Sequence, residues 1–154
     1  MNKPLPPTVF LICLVAISLF YGFLPGPQII SQPYNLIGII LIIAGLAIAM
    51  VASRQFIRIK TNIDTFSKPG TLVTTGLFRL SRNPMYLGFV SALCGVSFVC
   101  GALNTFLPTI AFILICQFWY IPFEEQNCVA VFGKAYGEYC ARTDRWFGFS
   151  KRSS

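Results

Sequence analysis

Residues 83–125 read NPMYLGFVSALCGVSFVCGALNTFLPTIAFILICQFWYIPFEE, and from Asn83 to Phe123 no side chain is charged. A membrane helix consumes about 20 residues, so this run is too long for one crossing and suits two joined by a short turn. Asn104-Thr105 supplies the polar interruption, which predicts spans over 85–103 and 106–123 closing a tight antiparallel hairpin. Two more uncharged runs, 8–24 and 35–52, lie upstream, and each of the four holds 17 to 19 residues. At about 1.5 Å of rise per residue such a run reaches roughly 26–29 Å, close to the ~30 Å hydrocarbon core. Backbone groups without partners in lipid are costly, so the runs must be helical unless they close a barrel, and none alternates polar with apolar as barrel strands do. The expected fold is all-α and integral to the membrane: four transmembrane helices in a single domain spanning residues 1–154.

Composition agrees. The chain is 55% hydrophobic and 11% charged, where a soluble domain carries roughly a quarter charged residues. A net charge of +7 would suggest nucleic acid on a soluble surface, but here the basic residues flank apolar runs and serve membrane orientation instead. Lys3 precedes the first span; Arg54, Arg58, Lys60, Lys68, Arg79 and Arg82 separate spans two and three; Lys134, Arg142, Arg145, Lys151 and Arg152 follow span four. The other two connections carry none, so both termini and the loop 54–84 are expected in the cytoplasm, facing inward from the inner membrane if the source is bacterial. The first run lacks a small-residue cleavage site and ends in Leu-Pro-Gly-Pro, so it reads as a retained helix. With no histidine, a histidine-based triad and a zinc hydrolase are excluded. The six cysteines show no CxxC pairing or metal-like cluster, and neither a disulfide framework nor a metal is expected.

Beyond span four, Cys128, Val129, Phe132, Tyr136, Tyr139 and Cys140 recur at three-to-four spacing, predicting an amphipathic helix over 124–142 along the cytoplasmic interface. Glu138, Lys134 and Arg142 would stay wet. Gly133 and Gly137 would either permit close helix packing or weaken this helix.

Two polar clusters flank the hairpin on its cytoplasmic side. In the first, Pro84 disfavours a helical Asn83 and then begins span three, so Asn83 is a natural cap behind which free N–H groups suit a ligand carboxylate. A capped helix with Arg82 anchored to lipid phosphate would explain the same residues. The second is Glu124-Glu125, read as the C-terminal end of span four, where the helix dipole and mutual repulsion both oppose two carboxylates. They call for a cation, either Arg82 or Arg79, or a ligand carrying ammonium and sulfonium groups. Because a two-helix hairpin returns the chain to its starting side, Asn83, Tyr86, Glu124 and Glu125 can line one interfacial pocket.

Taken together, Thr71-Leu72-Val73-Thr74-Thr75-Gly76, Arg82-Asn83-Pro84-Met85-Tyr86-Leu87-Gly88, Glu124-Glu125 and Phe132-Gly133-Lys134-Ala135-Tyr136-Gly137-Glu138-Tyr139 resemble the integral membrane methyltransferases. These include the isoprenylcysteine carboxyl methyltransferases and the phospholipid N-methyltransferases. The resemblance spans about residues 68–146. It implies S-adenosylmethionine as methyl donor, contacted by Gly70, Thr71, Leu72, Val73, Phe78, Asn83, Pro84, Met85 and Tyr86, with Glu124 and Glu125 binding cofactor or substrate. Glu124, Glu125 and Arg82 are the candidate catalytic residues, and the implied partners are membrane lipids and a lipophilic acceptor entering from the bilayer. The chain departs from the carboxyl methyltransferases at Gly70 and Asn83, where they usually have His, at Phe78, where they have Tyr, and at Tyr120, where they can carry a basic residue. The Asn-Pro-Met-Tyr segment is similar to the phospholipid enzymes, whose Gly-x-Gly element has no clear counterpart here.

Two other functions fit parts of this pattern. Membrane sterol reductases share an Arg-His-Pro-Asn-Tyr-like segment and use NADPH, and a non-enzymatic lipid-binding protein would explain the basic loop. Titrating NADPH against S-adenosylmethionine separates the first; labelled methyl transfer into lipid separates the second.

Overall fold

The computed structural model describes residues 4–24, 26–58 and 70–148. Among the described residues six α-helices follow one another: α1 (Pro6–Phe23), α2 (Ile37–Arg58), α3 (Pro84–Cys100), α4 (Phe106–Ile115), α5 (Ile121–Phe132) and α6 (Lys134–Arg142). No β-strand occurs among the described residues, and the only extended pairing among them is an isolated bridge between Gln28 and Ala102. Three helical stretches are long and apolar enough to cross a membrane, Pro6–Phe23, Tyr34–Arg58 and Leu103–Phe132, and α3 is a shorter apolar helix.

The α2–α3 pair forms the most extensive helix contact, and small residues make it possible. Gly45 faces Gly88 and Gly38 faces Gly95; a Cβ added at Gly45 would lie 2.5 Å from the Gly88 carbonyl oxygen, and one at Gly88 equally close to that of Gly45. In lipid, apolar side chains gain little by exchanging lipid tails for one another, so close backbone approach and van der Waals packing drive such pairs. Helix α1 covers α3 and the α4–α5 rod through Val9, Cys13 and Ile17, which pack with Leu93, Phe112, Cys116, Tyr120 and Ile121.

The two ends of the bundle differ in chemistry. At one, Gly101 takes a left-handed conformation (φ 70°) that stops α3, and a 3₁₀ turn at Leu103–Thr105 starts the return. Asn104 Nδ2 donates to the carbonyls of Phe20 (3.2 Å) and Leu24, satisfying the end of α1. At the other end lie Arg54 and Arg58 of α2, Arg79 and Arg82 before α3, and Lys134, Arg142 and Arg145 beyond α5. The chain's beginning reaches that end too, since the Tyr120 hydroxyl donates to the Pro4 carbonyl at 2.6 Å. Lys3, Lys60, Lys68, Lys151 and Arg152 lie outside the described residues.

Two sequence expectations are corrected. Helix four does not stop at Phe123: a π-helical segment, Cys116–Tyr120, joins α4 to α5 without a break. Pro122 lies inside this rod, although a proline lacks an N–H and its ring crowds the preceding turn. The wider π turn just before it absorbs both problems, with the Ile121 N–H reaching back to the Cys116 carbonyl. Glu124 therefore sits in the first turn of α5 and Glu125 directly after it, within a continuous rod, and the dipole argument for a helix C-terminus does not apply to them. Nor is 124–142 one amphipathic helix. Gly133, at φ 49° and ψ −119°, divides α5 from α6, in a conformation open chiefly to glycine. A Cβ at Gly133 or Gly137 would meet open space, so neither glycine serves close packing. Of the expected apolar stripe, Tyr136 and Tyr139 are buried whereas Val129 is exposed.

Candidate functional site

The site is built where α3 begins and α5 begins. Tyr86, one turn into α3, is buried and stacks on Tyr120 (ring centroids 6.2 Å, 15° between planes). Its hydroxyl donates to Glu124 Oε1 at 2.7 Å. One residue on, Glu125 receives two arginines. Arg145 grips it with both edges of the guanidinium, Nε to Oε1 at 3.2 Å and Nη2 to Oε2 at 2.6 Å. Arg82 Nη2 lies 3.1 Å from Oε1. The side chains of Arg82 and Glu125 are only 15% and 18% exposed, so removing one partner would strand a largely desolvated charge.

A short C-terminal strap, residues 143–148, holds this arrangement closed. The Arg82 N–H donates to the Asp144 carbonyl (3.0 Å) and the Gly148 N–H to the Leu80 carbonyl (3.1 Å). Asn83 Nδ2 donates to the Arg145 carbonyl at 2.9 Å. Asn83 precedes α3 as the sequence suggested, but its side chain does not cap that helix; it is turned onto the strap, while its own N–H donates to Ser81 Oγ at 3.0 Å. Trp146 Nε1 donates to Gln117 Oε1 in the π segment at 2.7 Å, pinning the strap to the rod. Arg145 thus touches both Asn83 and Glu125.

The other candidate residues form an apolar layer beside this cluster. Val73 and Phe78 are buried with Ala52, Tyr136 and Tyr139, and Leu72 and Met85 pack against them half-buried. Phe78 meets Phe56 edge to face at 5.0 Å, and its carbonyl accepts from the Tyr139 hydroxyl at 2.7 Å. Pro84 is buried at the start of α3. Gly70 and Thr71 are exposed at the margin of the described segment. The structure thus joins Arg82 and Asn83 to Glu125, directly or through Arg145, and Tyr86 to Glu124, the two groups being adjacent because Glu124 and Glu125 are consecutive, and it places Leu72, Val73, Phe78 and Met85 in the adjoining layer. Arg79 does not ion-pair with either glutamate.

Electrostatics follow from burial and pairing. Burial opposes the charge of Arg82 most strongly, but the Glu125 carboxylate and the neighbouring Cys140 and Tyr136 together outweigh it and hold the guanidinium above its ordinary value. Burial likewise pushes the Tyr136 and Tyr139 phenols up. The Arg82–Glu125–Arg145 group carries two positive charges against one negative. Arg82 Nε is buried with no hydrogen-bond partner among the described residues. Such a group can take a ligand carboxylate, while the Tyr86–Glu124 pair can take an ammonium or a hydroxyl. No group of His, Cys, Asp and Glu suited to a metal occurs among the described residues.

Sequence reasoning missed Arg145 and the strap. Arg145 stands in the sequence as one more inward-facing basic residue, and the cation that the two glutamates call for stays open there between Arg82 or Arg79 and a ligand; Arg82 is one of the two observed partners of Glu125 and Arg145 is the other. The available signal was Asp144-Arg145-Trp146-Phe147, a charged and aromatic run just past the last helix, where a plain tail has no need of aromatics.

The described residues thus form a helical protein with several helices able to cross a membrane and a largely buried polar cluster at the charged end of those helices. The phospholipid methyltransferase family model matches residues 34–135, and the chain belongs to that family of membrane methyltransferases. No curated protein matches the sequence significantly. Membership implies methyl transfer to a lipophilic substrate and does not favour the hydride-transfer alternative.

Proposed function

We propose that the protein transfers a methyl group from S-adenosylmethionine to a lipophilic acceptor, at the junction of the Tyr86–Glu124 and Arg82–Glu125–Arg145 groups on the cytoplasmic side of a four-span bundle. The observation that carries this reading is the meeting of the two motifs: Tyr86 bonds Glu124 at 2.7 Å and Arg82 pairs with Glu125 at 3.1 Å. When bound, S-adenosylmethionine supplies a sulfonium methyl that an acceptor atom takes by direct displacement.

The chain's own work is positioning and electrostatics. Arg82 and Asn83, with Gly70, Thr71, Leu72, Val73, Phe78, Pro84 and Met85 alongside, hold the donor's carboxylate and nucleoside. A carboxylate offers about four acceptor directions, so Glu124 can serve an ammonium or ribose hydroxyl while it accepts from Tyr86. Glu125 keeps two guanidinium groups fixed, which limits reorganisation as charge is dispersed in the transition state. Holding donor and acceptor in line contributes several kcal/mol of barrier reduction. If the acceptor is an amine it must be neutral to attack, and Glu124 is the residue we assign to take its proton. Excluding water around Tyr86 and Tyr120 strengthens these interactions.

The test is calorimetric titration of the purified protein in lipid nanodiscs with S-adenosylmethionine. Wild type is expected to bind, and Glu124→Gln with Glu125→Gln to lose binding. Tyr86→Phe, which spares the buried ion pair, is expected to weaken binding by about tenfold, as for a bond to a charged group. Unchanged affinity in Tyr86→Phe and in the double variant would remove this assignment.

A further inference from the structure

A second polar recess lies on the charged end, lined by Thr74, Arg79, Tyr139, Arg142 and Thr143, with a volume of about 140 Å³. None of the residues of the Arg82–Glu125–Arg145 cluster lines it. Two guanidinium groups and two threonines face it, together with a tyrosine, and among the described residues no carboxylate does. The contrast with the neighbouring arginines is informative. Arg82 and Arg145 are both engaged by Glu125, whereas neither Arg79 nor Arg142 has an ion pair among the described residues. Glu138, the carboxylate nearest in sequence to Arg142, pairs with Lys134 at 4.0 Å on the exposed face.

Arg142 is also pre-set. Its Nε donates to the Glu138 carbonyl at 3.2 Å, which steers the side chain and leaves its terminal amino groups for other work. The far wall is rigid, because the Tyr139 hydroxyl is committed to the Phe78 carbonyl and Thr143 is buried. Paired guanidinium forks with hydroxyl donors match the oxygens of a phosphate or phosphodiester, and two cations facing one cleft repel until an anion joins them. The recess has room for a tetrahedral oxyanion and a few waters, and not for a nucleoside. It sits at the end of the molecule that holds every described arginine and lysine, level with the start of the apolar α3, where lipid headgroups lie.

We propose that this recess is an oxyanion site, distinct from the methyl-transfer site, that holds the phosphate of a membrane lipid headgroup between Arg79 and Arg142. The reading does not depend on methyl transfer; it needs only the cleft and its charge.

The experiment uses the whole protein in a phosphate-free neutral detergent, with lipid binding read by native mass spectrometry. The probes are phosphatidylglycerol, diacylglycerol of the same chains, and inorganic phosphate. Phosphatidylglycerol is expected to bind and diacylglycerol not. Arg79→Gln with Arg142→Gln is expected to reduce phosphatidylglycerol binding by about tenfold or more, and the double lysine variant, which keeps charge but loses the fork, to give a smaller loss. Arg54→Gln with Arg58→Gln, the same charge change on α2, is expected to stay within about twofold of wild type. Because Arg79 and Arg142 are both exposed, their replacement should leave folding intact, and an unchanged melting midpoint in the same detergent checks this. Equal losses in the two glutamine pairs would reduce the recess to general surface charge and overturn the proposal. So would full binding in Arg79→Gln/Arg142→Gln, or inorganic phosphate binding as tightly as the lipid, which would make free phosphate the ligand.

Discussion

Glu125 holds together groups that come from three places in the chain: Arg82 before α3, the α5 turn that carries it, and Arg145 in the strap. Replacing it with glutamine leaves two arginines facing each other in a largely buried setting, so Glu125→Gln should cost about 3–5 kcal/mol of stability. Arg145→Gln should cost less, since Arg82 still neutralises the carboxylate; thermal unfolding in nanodiscs distinguishes the two. Glu124 is different in kind, because it accepts from a neutral phenol and forms neither of the arginine pairs made by Glu125. Glu124→Gln should therefore retain the fold and lose function. The phenols of α6 give a pH dependence with a definite sign. Burial raises Tyr136 and Tyr139 above the ordinary 10.0, so at alkaline pH the unfolded chain releases protons that the folded chain keeps. The associated stability is complete below about pH 10 and declines as pH rises through that value. Tyr136→Phe should flatten this alkaline decline, which melting midpoints at a series of pH values would show. Of these residues, Arg82, Tyr86, Glu124 and Glu125 were readable from motif and spacing; Arg145 was not, because nothing local to it indicates which carboxylate it meets.

At the level of elements, uncharged runs announced the apolar helices well, since the absence of charge over membrane thickness is a strong constraint. Their ends were harder to read. Pro122 and the glutamates after it looked like a stop, yet the π segment at Cys116–Tyr120 carries the rod on to Phe132. A π turn leaves no local signature in residue type; here it directly precedes Pro122 and accommodates its ring and its missing N–H. The break at Gly133 was visible only as a glycine whose role stayed open. Gly133→Ala meets no steric neighbour, so its cost is conformational, about 1–3 kcal/mol for a non-glycine residue held at φ 49°. By contrast, Gly88→Val would drive side-chain atoms into the α2 backbone at Gly45. It is expected to separate α2 from α3 and prevent recovery of folded protein in detergent, as size-exclusion profiles would report.

The whole molecule segregates its chemistry by end. Arginines, lysine and the glutamate cluster share one end, while asparagine, glutamine and backbone bonds finish the other, and apolar helices run between. The strap converts this arrangement from an open helix start into a closed site, with Trp146 locked to Gln117 and Asn83 turned onto Arg145. That closure depends on contacts between residues more than 60 positions apart, such as Asn83 with Arg145, which explains why the sequence led to the right neighbourhood but an incomplete set of residues. Deleting the chain from Thr143 onward should leave the helices folded while exposing Asn83 and Glu125, with a clear loss of cofactor affinity. The most direct test of the account is transfer itself: protein in nanodiscs made from native lipid extract, given methyl-labelled S-adenosylmethionine, with the label followed into the organic phase. Wild type should place label in a lipophilic product, and Glu124→Gln, folded by circular dichroism, should lower the rate by about a hundredfold or more, the scale of a positioned acid–base group. Undiminished labelling in Glu124→Gln, or no protein-dependent label in any extracted molecule, would contradict it.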